Sequence, residues 1–200
     1  MNKRDNEKAC YKFVEKGVKI MDLSNTYIGE DVVIGKNVVI YPNNYIYGCV
    51  EIGDNTIIYP NCFIVNSSIG ENCEIGPFSN IKQGSKIGYN SIIGAYVEVK
   101  NSLLKGNVKA KHHAYLGDVD IDEGTNIGCG VIFANYDGKK KHRSIVGKNV
   151  FIGSNVTVVS PVNIGEKSFI AAGSTIVEDV NSYSLAIARN RQINKLKYYK

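Results

Sequence analysis

Two of the chain's three histidines are adjacent, His112 and His113, in the run KGNVKAKHHAYLGD at 105–118. Imidazole takes and releases a proton near neutral pH, so an outward histidine on a rigid wall can serve as a general base. In an extended run neighbouring side chains face opposite ways, so at most one of the pair should point to any given site. A second cluster lies at 134–145, ANYDGKKKHRSI, where Lys139, Lys140, Lys141, His142 and Arg143 follow the turn Asn135-Tyr136-Asp137-Gly138. Ammonium and guanidinium groups on a shaped loop suit phosphate groups. Without context a charge run is a solvated face and a lone histidine is structural. Here the turn shapes the first, and the lysines and tyrosine around the second mark a polar wall. With two of three histidines being sequence neighbours, a zinc site of three imidazoles does not assemble easily. No metal is expected.

The elements that must position these groups are written in a six-residue period. Aliphatic residues run Ile28, Ile34, Ile40, Ile46, Ile52, Ile58 and Ile64. A five-residue step resets the phase to Ile69, Ile75, Ile81, Ile87, Ile93 and Val99. Further short steps give Leu104, Ala110 and Leu116, then Ile121, Ile127 and Phe133; the phase resumes at Val146 and runs to Ile176. Six is neither the period of a helix nor that of a strand; it fits a short strand plus a corner, repeated. The aliphatic residue faces inward. The fourth residue after it is small or β-branched (Val32, Val38, Thr56, Cys73, Ser85, Val97, Thr125, Val150, Ser174) and can share that interior. Three hexapeptides close a coil of about 18 residues stacked at about 4.8 Å. This predicts an all-β, parallel β-helix prism over 28–181, about eight coils tall, with one inserted loop at 134–145. A β-sandwich would not hold a six-residue phase for so long.

Before the prism, residues 2–16 read as a helix with Cys10, Phe13 and Val14 on one side and Gly17 as its stop. Alone it is too short to be stable, so it must pack on the prism or on another subunit. The arm and linker occupy 1–27, and a basic segment occupies 182–200. The run at 105–118 is expected to hold the repeat weakly. A net charge of +5 suits small anions at least as well as nucleic acid, and no stripe of aromatic and basic residues marks a nucleic-acid binder. No stretch is long and apolar enough for a membrane span. The five cysteines (Cys10, Cys49, Cys62, Cys73, Cys129) form no CxxC pair. That pattern, with no visible signal peptide, leads to the expectation of a reducing, cytoplasmic setting. Cys49, Cys62 and Cys73 fall in or near the small inward slots and are expected to fill the core.

The motifs HxxYLGD, NIGxG, NYDGxxK and AAGS appear in this order from His112 onward. With them the chain resembles, over nearly its whole length, the acetyltransferase half of the bifunctional family glucosamine-1-phosphate N-acetyltransferase / N-acetylglucosamine-1-phosphate uridyltransferase. The resemblance implies a left-handed prism and a homotrimer with sites between subunits. It implies acetyl-CoA as co-substrate and an amino-sugar phosphate as acceptor, in a direct transfer that needs no metal. Carried over by position, it implies His112 as the base and Glu98 as a carboxylate that orients it. It implies Lys82, Lys100, Tyr115, Asn126 and Lys141 as holders of the sugar phosphate. Cys129, Asn135, Tyr136, Ser154, Ala172 and Arg189 match positions that contact acetyl-CoA. Lys82 stands where the family has arginine and loses that side chain's bidentate fork; His113 and Ala114 replace an apolar residue and a threonine. No nucleotide-binding domain precedes the helix in this sequence, so uridyl transfer is not expected of it. The alternative is a non-catalytic trimeric scaffold for a separate uridyltransferase chain, which would bind no acetyl-CoA.

Overall fold

The structure is a computed structural model that describes residues 3–196. Among these residues, twenty-seven short parallel strands form three sheets, the walls of a left-handed triangular prism of about nine coils. The first wall runs from Lys19–Ile20 to Leu185–Ala186, the second from Tyr27–Ile28 to Thr175–Ile176, the third from Val33–Ile34 to Asn163–Ile164. Each strand pairs with the one a coil away, Ile81 with Val99 and Val99 with Leu116. The predicted inward aliphatics form the core: Ile46, Ile64, Ile81, Val99 and Leu116 are all fully buried. So are the small slots, Val38, Thr56, Ser85, Val97 and Thr125 among them.

Strand pairing extends beyond 28–181 on both sides, giving nine coils rather than about eight. Ile20 pairs with Ile40 and Ala186 with Ile170, so both ends keep the inward phase that the hexapeptide count missed. The run at 105–118 does not loosen: Ala110 and Leu116 are fully buried and in register. Residues 197–200 of the basic segment, and residue 2 of the expected helix, lie outside the described residues.

Helix α1, Lys3–Val14, ends as the sequence predicts. Gly17 takes a φ of +91°, which a side chain would oppose. Its N–H reaches the Val14 carbonyl at 2.9 Å, and the Val18 N–H reaches back to Phe13 at 3.1 Å. That pair of bonds closes the helix and brings Val18 onto Phe13, both buried. Cys10 and Phe13 face inward as expected, but Val14 lies on the exposed side. The helix packs on its own chain's first coil. Lys12 Nζ donates to the Glu30 carbonyl at 3.0 Å, and Ser24 Oγ donates to Glu7 Oε1 at 2.7 Å.

Corners rather than walls carry the conformational demand. Asparagines at positive φ stack coil upon coil, Asn37 donating to Asn55 at 3.1 Å and Asn55 to Asn72 at 3.2 Å. Asparagine suits such a column because it tolerates the left-handed region and its amide bonds to the next rung. Cys49 sits at a corner after Gly48, and Val50 takes the inward slot, so Cys49 is exposed and not core filler. Cys62 and Cys73 are buried, and burial pushes the Cys62 thiol up to about 11. We expect Cys49 and Cys129 to react with an aromatic disulfide reagent in the native protein. Cys10, Cys62 and Cys73 should react only after unfolding, so the titre rises from two thiols to five.

Candidate active site

Three cationic side chains gather on the second wall. Lys82 and Lys100 sit in register on neighbouring strands, facing outward beside the corner that leads to the third wall. The inserted loop brings Lys141 against Lys100 from that corner. This neighbour lowers the Lys100 ammonium pKa from its ordinary value, with burial and Lys82 adding to the effect and Glu98 opposing it. The one carboxylate in the cluster is Glu98, whose Oε1 lies 3.1 Å from Lys82 Nζ. The grouping carries excess positive charge that an anion would relieve. Lys100 keeps its proton most readily when an anion is bound. Anion affinity therefore weakens as pH rises through the lowered Lys100 pKa.

The loop is held in shape from within. The Asp137 carboxylate takes N–H bonds from Lys139 and Lys140 at 2.8 Å each and pairs with His142 Nε2 at 2.7 Å. His142, then the two amides, hold its pKa down at about 2. A depressed folded pKa means that this support is present above the ordinary carboxylate range and is lost only as pH falls through about 2. Arg143 ties the loop to the prism, pairing with Asp120 and donating to the Asn101 carbonyl at 2.6 Å.

Tyr115 and Asn126 line the neighbouring surfaces. Tyr115 is in register with Glu98 on the second wall, and Asn126 with Lys109 on the first. Gly117 follows Tyr115 for a spatial reason. A Cβ there would stand 2.5 Å from the Tyr115 hydroxyl and 2.7 Å from the Asn135 amide nitrogen. Asn135 itself is buried, its amide turned to Asp118 at 2.5 Å and to Tyr115 at 3.4 Å. Tyr136 beside it is exposed.

His112 ends a first-wall strand, in register with Ala95, and is exposed. His113 is exposed too: it occupies the corner at φ +42° and stacks on Tyr96 at 4.9 Å, itself stacked on Phe78 at 5.0 Å. The expected opposite facing fails because the second histidine belongs to a corner, not to the strand. Among the described residues no hydrogen bond joins Glu98 to His112; the Glu98 oxygen that bonds is taken by Lys82. Below His112 the same place on successive coils holds Cys129, Ser154 and Ala172, all exposed and small. Their corners are bonded coil to coil, the Asn155 N–H to Cys129 and the Gly173 N–H to Ser154. Arg189 lies at the foot of this column, its Cδ beside Gly173.

Asp118, at 6% exposure, is the site residue that sequence reasoning missed. It was visible within HxxYLGD, but nothing in one sequence says which amides it would meet. A concavity of about 470 Å³ elsewhere, lined by Cys49, Asn66, Ser68 and Lys86, contains none of these residues. Among the described residues no group of three His, Cys, Asp or Glu side chains is placed to hold a metal ion, and no helix is long and apolar enough to cross a membrane.

Known proteins resemble this chain at two levels. It is 49% identical to the bifunctional protein GlmU of Caldicellulosiruptor saccharolyticus, over 91% of this chain and 43% of that protein. It is 44% identical to GlmU of Clostridioides difficile, over 98% of this chain and 45% of that one. The resemblance read from the motifs is thereby shown, and the chain spans less than half the length of these relatives. Among solved structures, LpxA from Acinetobacter baumannii superposes with a TM-score of 0.59 at 21% identity, covering 85% of this chain and 71% of that one. UDP-N-acetylglucosamine acyltransferase from Campylobacter jejuni gives 0.58 at 17%, over 86% and 70%. At such identities they speak for the fold alone. The model of the bacterial transferase hexapeptide (six repeats) matches residues 31–66, 66–101 and 143–178. Matched over more than half its length, the chain belongs to the bacterial transferase hexapeptide family.

Proposed function

We propose that the chain is an acetyl-CoA-dependent N-acetyltransferase acting on glucosamine 1-phosphate or a closely related amino-sugar phosphate. The observation that carries this reading is the convergence of Lys82, Lys100 and Lys141 from two coils and a loop, with Glu98 as the lone carboxylate among them. Three ammonium groups with one counter-charge suit a phosphate monoester, which brings two negative charges. Tyr115 and Asn126 flank the sugar. The relatives named GlmU support the acyl-transfer class.

His112 accepts the proton that the sugar's amine sheds as its nitrogen bonds to the thioester carbonyl carbon. The carbon–sulfur bond then breaks, and His112 returns the proton to the departing sulfur. The products are an amide and a free thiol, so atoms and charge balance without a covalent enzyme intermediate. The column of Cys129, Ser154 and Ala172 offers a narrow path for the donor's arm, three coil steps or about 14 Å long, ending at Arg189. Arg189 suits the donor's phosphates. Glu98 shapes the field around the phosphate through Lys82, and its second oxygen remains for the base. Exposed apolar residues on the first and second walls, Tyr45, Phe63, Ile132, Phe151 and Phe169 among them, support a homotrimer whose neighbouring walls complete the site.

Thiol release from acetyl-CoA tests the reading, with glucosamine 1-phosphate as acceptor. Release that depends on the sugar is the expected result; no release and no acetyl-CoA binding would leave the scaffold. In the same assay Lys141→Ala should raise KM for the sugar phosphate about tenfold, the worth of one charge-assisted hydrogen bond, and leave KM for a phosphate-free amino sugar unchanged. An equal rise for both acceptors would remove the lysine from the phosphate.

A further inference from the structure

We propose that Asp118 is a positioning residue that fastens both ends of the lysine-bearing loop and so sets where Lys141 stands; its kinetic consequence rests on the acetyltransferase reading. The side chain secures the loop's start. Asp118 Oδ2 accepts from Asn135 Nδ2, and Oδ1 accepts from Asn101 Nδ2, each at 2.5 Å. The main chain secures the loop's end, the Ser144 N–H donating to the Asp118 carbonyl at 3.1 Å. The Asp118 N–H in turn donates to the Lys100 carbonyl at 3.0 Å. One residue thus connects the strand bearing Lys100, the residue that follows strand Ile132–Ala134 and the residue that opens strand Ser144–Val146.

The pattern of donors explains why this position is an aspartate. At the corner of Asn37, Asn55 and Asn72 the asparagines run head to tail, each amide donating to the oxygen of the next. At the corner of Asp118 the direction reverses. Asn101 donates from the coil above and Asn135 donates from the loop side, so two amide groups meet at one side chain. Only a group that accepts twice satisfies both, and an ionised carboxylate is acceptor-only. Asparagine has the same shape and tolerates the φ of +50° found here, but it meets both amides only if the exposed Asn101 amide turns its oxygen inward, and two charge-assisted bonds become neutral ones. Burial at 6% exposure leaves little water to repair the mismatch. Gly117 clears the space over which Tyr115 and Asn135 approach, so Tyr115, Gly117 and Asp118 of YLGD act as one device.

The test compares Asp118→Asn with the pair Asn101→Asp and Asp118→Asn together. In the pair, the residue at 101 accepts from the new amide at 118, whose oxygen still accepts from Asn135, so every bond is restored with its polarity reversed at one step. Limited digestion with trypsin reads the loop directly, because Lys139, Lys140, Lys141 and Arg143 are exposed cleavage points. Asp118→Asn should speed cleavage at these four about tenfold, the shift that one lost hydrogen bond gives, and the pair should return it toward the wild-type rate. Glucosamine 1-phosphate KM should rise and recover in parallel, with most of kcat kept. Unchanged loop cleavage, acceleration spread over lysines throughout the prism, or a pair no better than the single variant would each overturn the proposal. If the wild type transfers no acetyl group, the acetyltransferase reading falls, and the trypsin comparison still decides the role of Asp118.

Discussion

His112→Ala is expected to lower acetyl transfer to the amino-sugar phosphate by about a hundred- to ten-thousand-fold, the usual worth of a general base. The loss should fall on kcat, because the lysines proposed to hold the phosphate are untouched. Stability should barely change: the side chain is exposed and bonds to nothing among the described residues, so its loss opens no cavity. A thermal midpoint within about 2 °C of the wild type is the matching result. His113→Ala supplies the contrast. That imidazole stacks on Tyr96 at the corner, and its loss should leave the rate within a few-fold of the wild type. A fall of less than tenfold in His112→Ala, or an equal fall in both variants, would remove His112 from the chemistry.

The second large effect is on stability. Phe133 is among the largest fully buried side chains, in register with the much smaller Val158 a coil below. Its position takes an isoleucine, valine or leucine in the other coils, so Phe133 is the largest side chain in its row. Phe133→Ala should cost about 3–5 kcal/mol, from lost transfer energy plus the cavity left behind. For a chain of this size that is a fall of about 6–20 °C in the thermal midpoint. Only Ala134 separates Phe133 from Asn135, so the loop should also lose its anchor and trypsin should cut it faster. A midpoint within 2 °C of the wild type would mean that the coils close over the gap.

Sequence legibility followed the period. Between Ile28 and Ile176 the inward aliphatics came from a six-residue count because one physical demand, a dry triangular interior, repeats at each wall. The corners were harder, since their side chains obey the backbone's left-handed turn and not strand alternation. His113 and Cys49 were both misread for that reason, one taken as a strand residue and the other as a core residue. Val14 lay one helical step beyond the buried stripe of α1. The outer coils were missed because Ile20 and Ala186 lack the glycine that marks about half of the repeats. At the site, residue types singled out His112 and the loop lysines as candidates, while Lys82 and Lys100 came only from the family resemblance. What was not legible was pairing across coils: Glu98 with Lys82, or Asn101 and Asn135 converging on Asp118. Those contacts depend on which residues lie 16 to 18 positions apart after each short step, and on how the inserted loop folds back.

The placement of α1 has a consequence for how the molecule ends. A stack of parallel coils offers bare N–H and C=O groups at its first and last rungs, spaced to accept another stack. On the first rung, the Thr26 carbonyl is met by the Cys10 thiol at 3.4 Å and the Glu30 carbonyl by Lys12, while Phe13 closes over the interior. The helix is therefore a stopper against end-to-end growth. A chain without it would present an open, apolar template, and such templates lengthen into filaments.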